Sequence, residues 1–279
     1  MLQHFASTEA LHGFLMPTLS HFLEILPRNP FILGNSDKMQ LSQTFATAPL
    51  TESRFGFISS NTLLVIRIIN FLFDLYFTGQ TLKALGLVYT FPYLSAWANF
   101  VSLGTHILLI YSHFRSYDLY YDELVKAIFE ISLPLQWLTT SGFWLIVNDG
   151  DPPINWSEPS TLYYTVYMHG PSLIAMTIEG FLNTVTFDVQ NGAMRMLWLL
   201  VSYVPLQLFS KQVLDYYPYG ELDLSTLKSW ISLLQPIPGG MAFYYAWAYL
   251  INFLKNRVET KHKIHSIITN VFENLNQLI

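Results

Sequence analysis

Two long stretches of this sequence contain no Lys, Arg, Asp or Glu: one runs from Ala84 to Phe114 and the other from Trp230 to Leu254. A helix needs about 20 apolar residues to cross the hydrocarbon core of a bilayer, and both stretches exceed that length. Hydrophobic residues make up 52% of the chain and charged residues only 12%. A single soluble core of this size cannot bury so much apolar surface. The sequence therefore predicts an all-α, polytopic membrane protein.

Four further apolar segments complete a prediction of six transmembrane helices. The predicted spans cover about 59–77, a helix within 84–114, 126–147, 162–187, 193–213 and 230–254. The strict alternation of a barrel strand is missing from these segments, so helices are the structures that satisfy their backbone groups inside lipid. Prolines within the spans, such as Pro134 and Pro205, are tolerated in membrane helices.

The regions on either side of the predicted bundle, which covers residues 58–254, have a different pattern. Residues 1–57 carry apolar side chains at helical spacing between Ser7 and Leu26, which predicts a kinked amphipathic helix on a membrane surface. Residues 255–279 predict a second amphipathic helix that continues beyond the last span.

The distribution of Lys and Arg predicts the orientation of the bundle. With six spans, ten of the 14 basic residues fall on the side of the termini, three fall on the other side, and Arg67 lies inside the first span. The ten are Arg28, Lys38, Arg54, Arg115, Lys126, Arg195, Lys255, Arg257, Lys261 and Lys263, and the three are Lys83, Lys211 and Lys228. Cytoplasmic loops carry the excess of positive charge. We therefore expect both termini on the cytoplasmic or matrix-equivalent side.

Composition and spacing exclude several classes of function. A net charge of -5 leaves no basic excess for the phosphates of a nucleic acid. The absence of Cys excludes disulfides, thiolate metal sites and thiol nucleophiles. His262 and His265 have no carboxylate at ligand spacing, and a haem held by His169 with His106 or His113 needs two histidines at one depth, which His106 and His169 do not provide. No nucleic acid, metal or cofactor is expected.

Charged and polar residues inside a membrane are costly, so each is a functional candidate until its partner is known. Arg67 and Asp74 share one face of the first span, with Asn70 between them. We expect this set to be structural, satisfying itself or linking helices. Glu130 is expected to be a snorkelling or interfacial carboxylate, and His106 is expected to make a satisfied hydrogen bond.

The fourth span contains His169 and Glu179, which are separated by about 15 Å of helix. Glu179 therefore cannot orient His169 as the carboxylate of a triad and stays only a possible supporting group. Ser95 lies about as far into the second span, from the same membrane face, as His169 does into the fourth. A serine hydroxyl becomes a nucleophile when a neighbouring base accepts its proton. Ser95 and His169 are thus a candidate acyl-transfer pair.

Short motifs around these residues occur in a recognisable order. They are Tyr93-Leu94-Ser95 with Trp97, Leu133-Pro134, Phe143-Trp144, Met168-His169, Ile178-Glu179 and Tyr217-Pro218. Together they resemble the androgen-induced gene family, also called FAR-17a-like, over about residues 60–254.

The resemblance implies a six-span hydrolase of the endoplasmic reticulum. Such enzymes cleave fatty acid esters of hydroxy fatty acids with a threonine and a histidine inside the membrane. The family's histidine corresponds to His169 and its threonine to Ser95, so the nucleophile departs from the family's pattern. Asn99 and the indoles of Trp97 and Trp144 are candidate donors to an oxyanion. Membrane lipids are the implied partners.

A second hypothesis belongs to a different class of function. It describes a non-catalytic accessory subunit of a larger organellar complex, such as a respiratory complex of the mitochondrial inner membrane. Residues 1–57 and 255–279 would then contact neighbouring subunits. The sequence leaves both hypotheses open because it does not reveal whether Ser95 and His169 are in contact.

Overall fold

A computed structural model describes residues 50–116, 118–144, 166–214 and 226–255. Its helices are α1 (Ser60–Leu85), α2 (Leu87–Thr90), α3 (Leu94–Tyr111), α4 (Leu119–Gly142), α5 (Pro171–Leu182), α6 (Val189–Leu214), α7 (Leu227–Leu234) and α8 (236–255), with a 3-10 turn at Ser112–Phe114. The described part contains one isolated β-bridge, Ser53 to Asn183, and no strand. The all-α prediction is confirmed. The predicted helices within 1–49 and 256–279, the loop 148–160, His262 and His265 lie outside the described residues.

Local chemistry sets the ends of several helices. The Ser59 side chain accepts a hydrogen bond from the Thr62 backbone N–H and caps the start of α1. Gly86 ends α1 in the left-handed region, with φ 76°, which a residue without Cβ adopts readily. The Asp118 carboxylate caps α4 by accepting from two backbone N–H groups. A hydrogen bond from Arg115 holds the pKa of Asp118 below its usual value.

The predicted spans and the observed helices differ at their boundaries, and the predicted fourth span, 162–187, corresponds among the described residues to the short segment 166–169 and the 12-residue α5. α1 continues to Leu85, eight residues beyond the predicted end at Phe77. The second span is divided near Pro92 into α2 and α3, and the sixth is divided at Gln235 into α7 and α8. Among the residues that the structure describes, two helical segments, Ser60–Leu85 and Leu94–Phe114, are long and apolar enough to cross a membrane.

Prolines are accommodated in the manner that the sequence predicted. α4 continues through Pro134 and α6 continues through Pro205. Pro171 instead occupies the first position of α5, where a missing N–H breaks no helical hydrogen bond.

The helices pack in an order that gathers α1, α3, α4 and α5 around one region. α1 packs against α3 and α5, and α4 packs against α3, α5 and α6. α8 joins α4 through the rings of Trp137 and Trp247, whose centroids are 5.1 Å apart. The buried apolar core includes Ala98, Leu109, Phe129, Leu133, Leu138, Met176, Met196, Leu200, Tyr244 and Ala248.

The side chains of α1 are distributed in the opposite way to those of a helix that covers a soluble core: polar side chains are buried and apolar side chains are exposed. Its buried side chains are polar or charged apart from Leu63 and include Arg67, Asn70, Asp74, Thr78 and Thr81. Its exposed side chains include Val65, Ile68, Ile69, Leu72, Phe73, Leu75 and Tyr76. In a soluble protein the apolar stripe of a surface helix faces the core.

A glycine in α8 allows this helix to approach its neighbours closely. A Cβ added at Gly240 would lie 3.1 Å from both Leu138 Cδ2 and Met196 Cε and still closer to Leu200 Cδ1. Small residues at such contacts are characteristic of packed membrane helices. We expect Gly240→Ala to lower the free energy of unfolding by about 1–3 kcal/mol through overpacking.

The adjacent glycine is the matched control. A Cβ at Gly239 would lie 3.4 Å from Leu138 Cδ1, its nearest neighbour. Gly239→Ala should therefore leave stability unchanged or raise it by up to about 1 kcal/mol, because Ala favours the helix. Thermal unfolding in detergent, followed by Trp fluorescence, measures both variants. Equal melting temperatures for the two variants would contradict the close packing of α8 at Gly240.

Candidate active site

Ser95 is the second residue of α3 and is almost completely buried, with 2% of its surface exposed. Its Oγ atom has no hydrogen-bond partner among the described residues. Most buried hydroxyl groups are hydrogen-bonded, and an exception calls for an explanation such as a catalytic role. The hydroxyl of Ser95 is therefore not committed to holding the fold together.

His169 lies in a short helical segment, 166–169, that precedes α5. Its ring stacks on the ring of Phe143 with a centroid distance of 4.1 Å and an interplanar angle of 13°. The backbone carbonyl of His169 accepts a hydrogen bond from Thr140 Oγ1 at 2.7 Å. The Nδ1 atom is buried without a partner in the described part of the chain. Packing and the backbone thus orient this imidazole, while Nδ1 stays uncommitted.

A polar layer ties α3 and α4 to the chain at His169. Asn99 Nδ2 donates to the backbone carbonyl of Met168 at 3.1 Å, and Gln136 Nε2 donates to Asn99 Oδ1 at 3.2 Å. Asn99 lies one helical turn after Ser95 and on the same face of α3. Ser95 and His169 therefore occupy the same end of the bundle, but no hydrogen bond joins Ser95 Oγ to the His169 ring.

The three predicted oxyanion donors differ in how far they are already engaged. Trp97 Nε1 donates to the backbone carbonyl of Phe91 at 3.0 Å. The Trp144 ring lies perpendicular to Phe143, the residue on which His169 stacks. Asn99 uses one N–H for Met168, and its amide carries two. Asn99 is thus the donor in the polar layer itself, one turn from Ser95.

The other predicted supporting group, Glu179, belongs to a buried ion pair. Its carboxylate accepts from Arg67 Nη2 at 2.7 Å and from Arg67 Nε at 3.1 and 3.2 Å, and both side chains are fully buried. Arg67 Nη1 also lies 2.8 Å from His113 Nε2. Glu179 therefore links α5 to α1 rather than supporting His169.

Arg67, Asn70 and Asp74 link helices and do not satisfy one another. Asn70 Nδ2 donates to the Ala175 carbonyl of α5 at 3.5 Å. Asp74 accepts from Ser102 of α3 at 2.6 Å and from Ser172 of α5. Of the two structural roles expected for this set, linking helices is therefore the one observed, because the partners of this face come from α3 and α5.

The expectations of a hydrogen-bonded His106 and of a snorkelling Glu130 are also wrong. Both ring nitrogens of His106 lack a hydrogen-bond partner among the described residues, and its Nε2 is 4.0 Å from Asp74 Oδ2. Glu130 does not snorkel, because it is fully buried and accepts from the Asp188 backbone N–H at 2.9 Å and from Arg195 Nη1 at 3.1 Å. Glu130 thereby connects α4 to the start of α6.

The sequence analysis did not single out Gln136, Thr140 or Phe143 as parts of this site. Gln136 and Thr140 are four residues apart and share one face of α4. That spacing was the available signal. Phe143 belonged to the Phe143-Trp144 motif, but the sequence did not indicate that its ring stacks on His169.

No group of three potential metal-ligating His, Asp or Glu side chains occurs in the described ranges. Comparisons with family models, curated proteins and solved structures give no match to this chain. The residues of the site are therefore the basis for its function.

Proposed function

We propose that the chain forms a bundle that crosses a lipid bilayer six times, with both termini on the cytoplasmic or matrix-equivalent side. The reversed surface of α1 supports this proposal, because its apolar exterior matches hydrocarbon and its polar interior is satisfied by other helices. α4, α6 and the pair α7 and α8 supply further segments of sufficient length.

The proposed topology is testable with single cysteines, because the chain has none of its own. Ser116 lies between α3 and α4, and Leu227 at the start of α7 is 77% exposed. In sealed vesicles of one orientation, a membrane-impermeant maleimide should label only one of Ser116→Cys and Leu227→Cys before permeabilisation and both afterwards. Labelling of both cysteines in sealed vesicles would contradict six spans.

We propose further that the bundle is a lipid ester hydrolase in which Ser95 is the nucleophile and His169 the general base. In this reaction Ser95 Oγ attacks the ester carbonyl carbon while the imidazole accepts the hydroxyl proton. The imidazole then returns the proton to the departing alkoxide, and a water molecule, activated in the same way, releases the fatty acid from Ser95.

One observation carries this proposal. A buried hydroxyl and a buried imidazole nitrogen, both without hydrogen-bond partners among the described residues, lie at the same end of the bundle around the Asn99 layer. A rotation of the Ser95 side chain costs little because it breaks no hydrogen bond. Catalytic hydrogen bonds are commonly long or misaligned before substrate binds, so the separate state of the two groups is compatible with a role in catalysis.

The surroundings favour a substrate with acyl chains. Apolar rings lie next to the base: Phe143 stacks on His169, and Trp144 packs against Phe143. The second N–H of Asn99 is available to stabilise the oxyanion of the tetrahedral intermediate. Fatty acid esters of hydroxy fatty acids, the substrates implied by the family resemblance, combine one ester with two long chains.

The direct test is an assay of the purified protein in vesicles with a fatty acid ester of a hydroxy fatty acid. Release of free fatty acid above the rate in protein-free vesicles is the expected result. The absence of hydrolysis, together with co-migration of the native protein with a larger complex on a native gel, would instead support the accessory-subunit hypothesis.

A further inference from the structure

Two basic residues contact the end of α5 from different parts of the chain, Arg54 through its backbone and Lys255 through its side chain. The Arg54 backbone N–H donates to the Leu182 carbonyl at 2.9 Å, which fixes the segment before α1 against α5. Lys255, at the end of α8, donates from Nζ to Asn183 Oδ1 at 2.8 Å and to the Val185 carbonyl. Arg54 and Lys255 thus converge on adjacent residues of one helix end.

Neither of these cations has a carboxylate partner in the described part of the chain. Arg54 Nε and Nη1 are buried without a hydrogen bond, and Lys255 is 4% exposed. The nearby carboxylates are used elsewhere: Glu179 pairs with Arg67, and Glu130 pairs with Arg195. Neither Arg54 nor Lys255 takes part in an ion pair with a described residue.

Two other carboxylates in this region, Glu52 and Asp188, also form no ion pair with Arg54 or Lys255. Glu52 is exposed and makes no ion pair with a described residue. Although burial acts to raise the pKa of Asp188, hydrogen bonds from Asn191 lower it, so that this carboxylate is committed to its own turn. No carboxylate among the described residues therefore forms an ion pair with Arg54 or Lys255.

We propose that Arg54 and Lys255 bind the phosphate group of an anionic phospholipid. The guanidinium offers unused N–H groups on Nε and Nη1, which can donate charge-assisted hydrogen bonds to phosphate oxygens, and the lysine adds a point charge. Phe57, three residues after Arg54, is 84% exposed and provides an apolar contact for acyl chains. The pair lies on the basic side of the chain, where anionic lipids concentrate in membranes.

The inference rests on the proposed bilayer location and not on the chemistry of Ser95. A lipid is favoured over a free phosphate ion because the cations lie beside exposed apolar surface at the ends of membrane helices. A zwitterionic lipid such as phosphatidylcholine also carries a phosphate, but its choline group adds a positive charge next to two cations. The site should therefore select phosphatidylglycerol over phosphatidylcholine.

Native mass spectrometry of the full chain in detergent tests this site, with phosphatidylglycerol, phosphatidylcholine or inorganic phosphate added. Arg54→Gln is the informative variant because the Arg54 side chain makes no hydrogen bond that holds the fold. Lys83→Gln, at the opposite end of α1, is the matched control because Lys83 is exposed and the change removes the same charge. Ester hydrolysis by both variants should equal that of the wild type, which separates this test from that of Ser95.

We expect the wild type and Lys83→Gln to retain one phosphatidylglycerol molecule in preference to phosphatidylcholine. Arg54→Gln should bind it about tenfold more weakly, the effect of losing hydrogen bonds to a charged group. Three results would overturn the proposal: equal retention of the two lipids, unchanged binding by Arg54→Gln, or displacement of the lipid by millimolar inorganic phosphate.

Discussion

Ser95→Ala should lower the rate of ester hydrolysis by at least about 10³-fold, because removal of the nucleophile of an acyl-transfer site abolishes the covalent route. Its fold should be preserved, since Ser95 Oγ makes no hydrogen bond among the described residues. Turnover of a fatty acid ester by the purified variant measures the effect, and the melting temperature verifies folding.

Ser132 offers a matched control for this substitution. It is fully buried on α4, and its Oγ is likewise without a partner in the described ranges. Ser132→Ala should therefore retain activity. Ser95→Thr should also retain activity, because it keeps the hydroxyl and restores the residue type that the family resemblance implies. Comparable rates for Ser95→Ala and Ser132→Ala would remove Ser95 from the reaction.

The base can be separated from the packing of its ring in the same assay. His169→Phe keeps an aromatic ring to stack on Phe143, but it carries no nitrogen to accept a proton. We expect this variant to fold and to be as inactive as Ser95→Ala, because nucleophile and base act as one unit. Activity within a few-fold of the wild type would show that His169 only fills space.

Glu179→Leu should be the most destabilising substitution in the polar interior of the bundle. It leaves the guanidinium of Arg67 fully buried without its carboxylate, and breaking a buried pair in this way costs about 3–5 kcal/mol. His113 and the Leu109 carbonyl do not replace a negative charge. Thermal unfolding in detergent measures the loss.

A double substitution distinguishes the charge imbalance from lost packing. Arg67→Leu combined with Glu179→Leu removes both charges, so we expect it to recover most of the stability that Glu179→Leu loses. Glu123→Ala is the surface control, because the pair of Glu123 with Lys126 spans 3.9 Å and Glu123 is 45% exposed. Its effect should stay below about 1 kcal/mol. Additive losses in the double variant would contradict a coupled buried pair.

The existence of the helices could be predicted from the sequence, because charge-free stretches of this length have few alternatives. Their ends were less predictable. α1 passes the charged Lys83 and ends where Gly86 adopts a left-handed conformation, a local event that hydropathy does not register. The division of the second span near Pro92 depends likewise on one residue.

Contacts between helices were the part that a single sequence could not provide. Arg67 and Glu179 are 112 residues apart, and no spacing rule connects them. The nearby Asp74 therefore looked like the natural partner of Arg67. Similarly, Glu130 is one turn inside its predicted span, where snorkelling is the usual solution, but α6 brings Arg195 and the Asp188 backbone to it.

For the candidate site, the sequence alone predicted only the depth of its two residues in the bundle. A fixed rise per residue places Ser95 and His169 at similar depths in any bundle with this direction of helices. The helices that are neighbours, and therefore the role of Asn99 between α3 and Met168, depend on packing over the whole chain.

The central claim is that His169 activates Ser95, and a fluorophosphonate probe tests it most directly, since it forms a covalent adduct only with an activated hydroxyl. Peptide mapping of the labelled protein in vesicles locates the adduct. We expect it on Ser95 in the wild type and on no serine in His169→Phe. An unmodified Ser95 in the wild type, or equal labelling of Ser95 without the imidazole, would contradict the account.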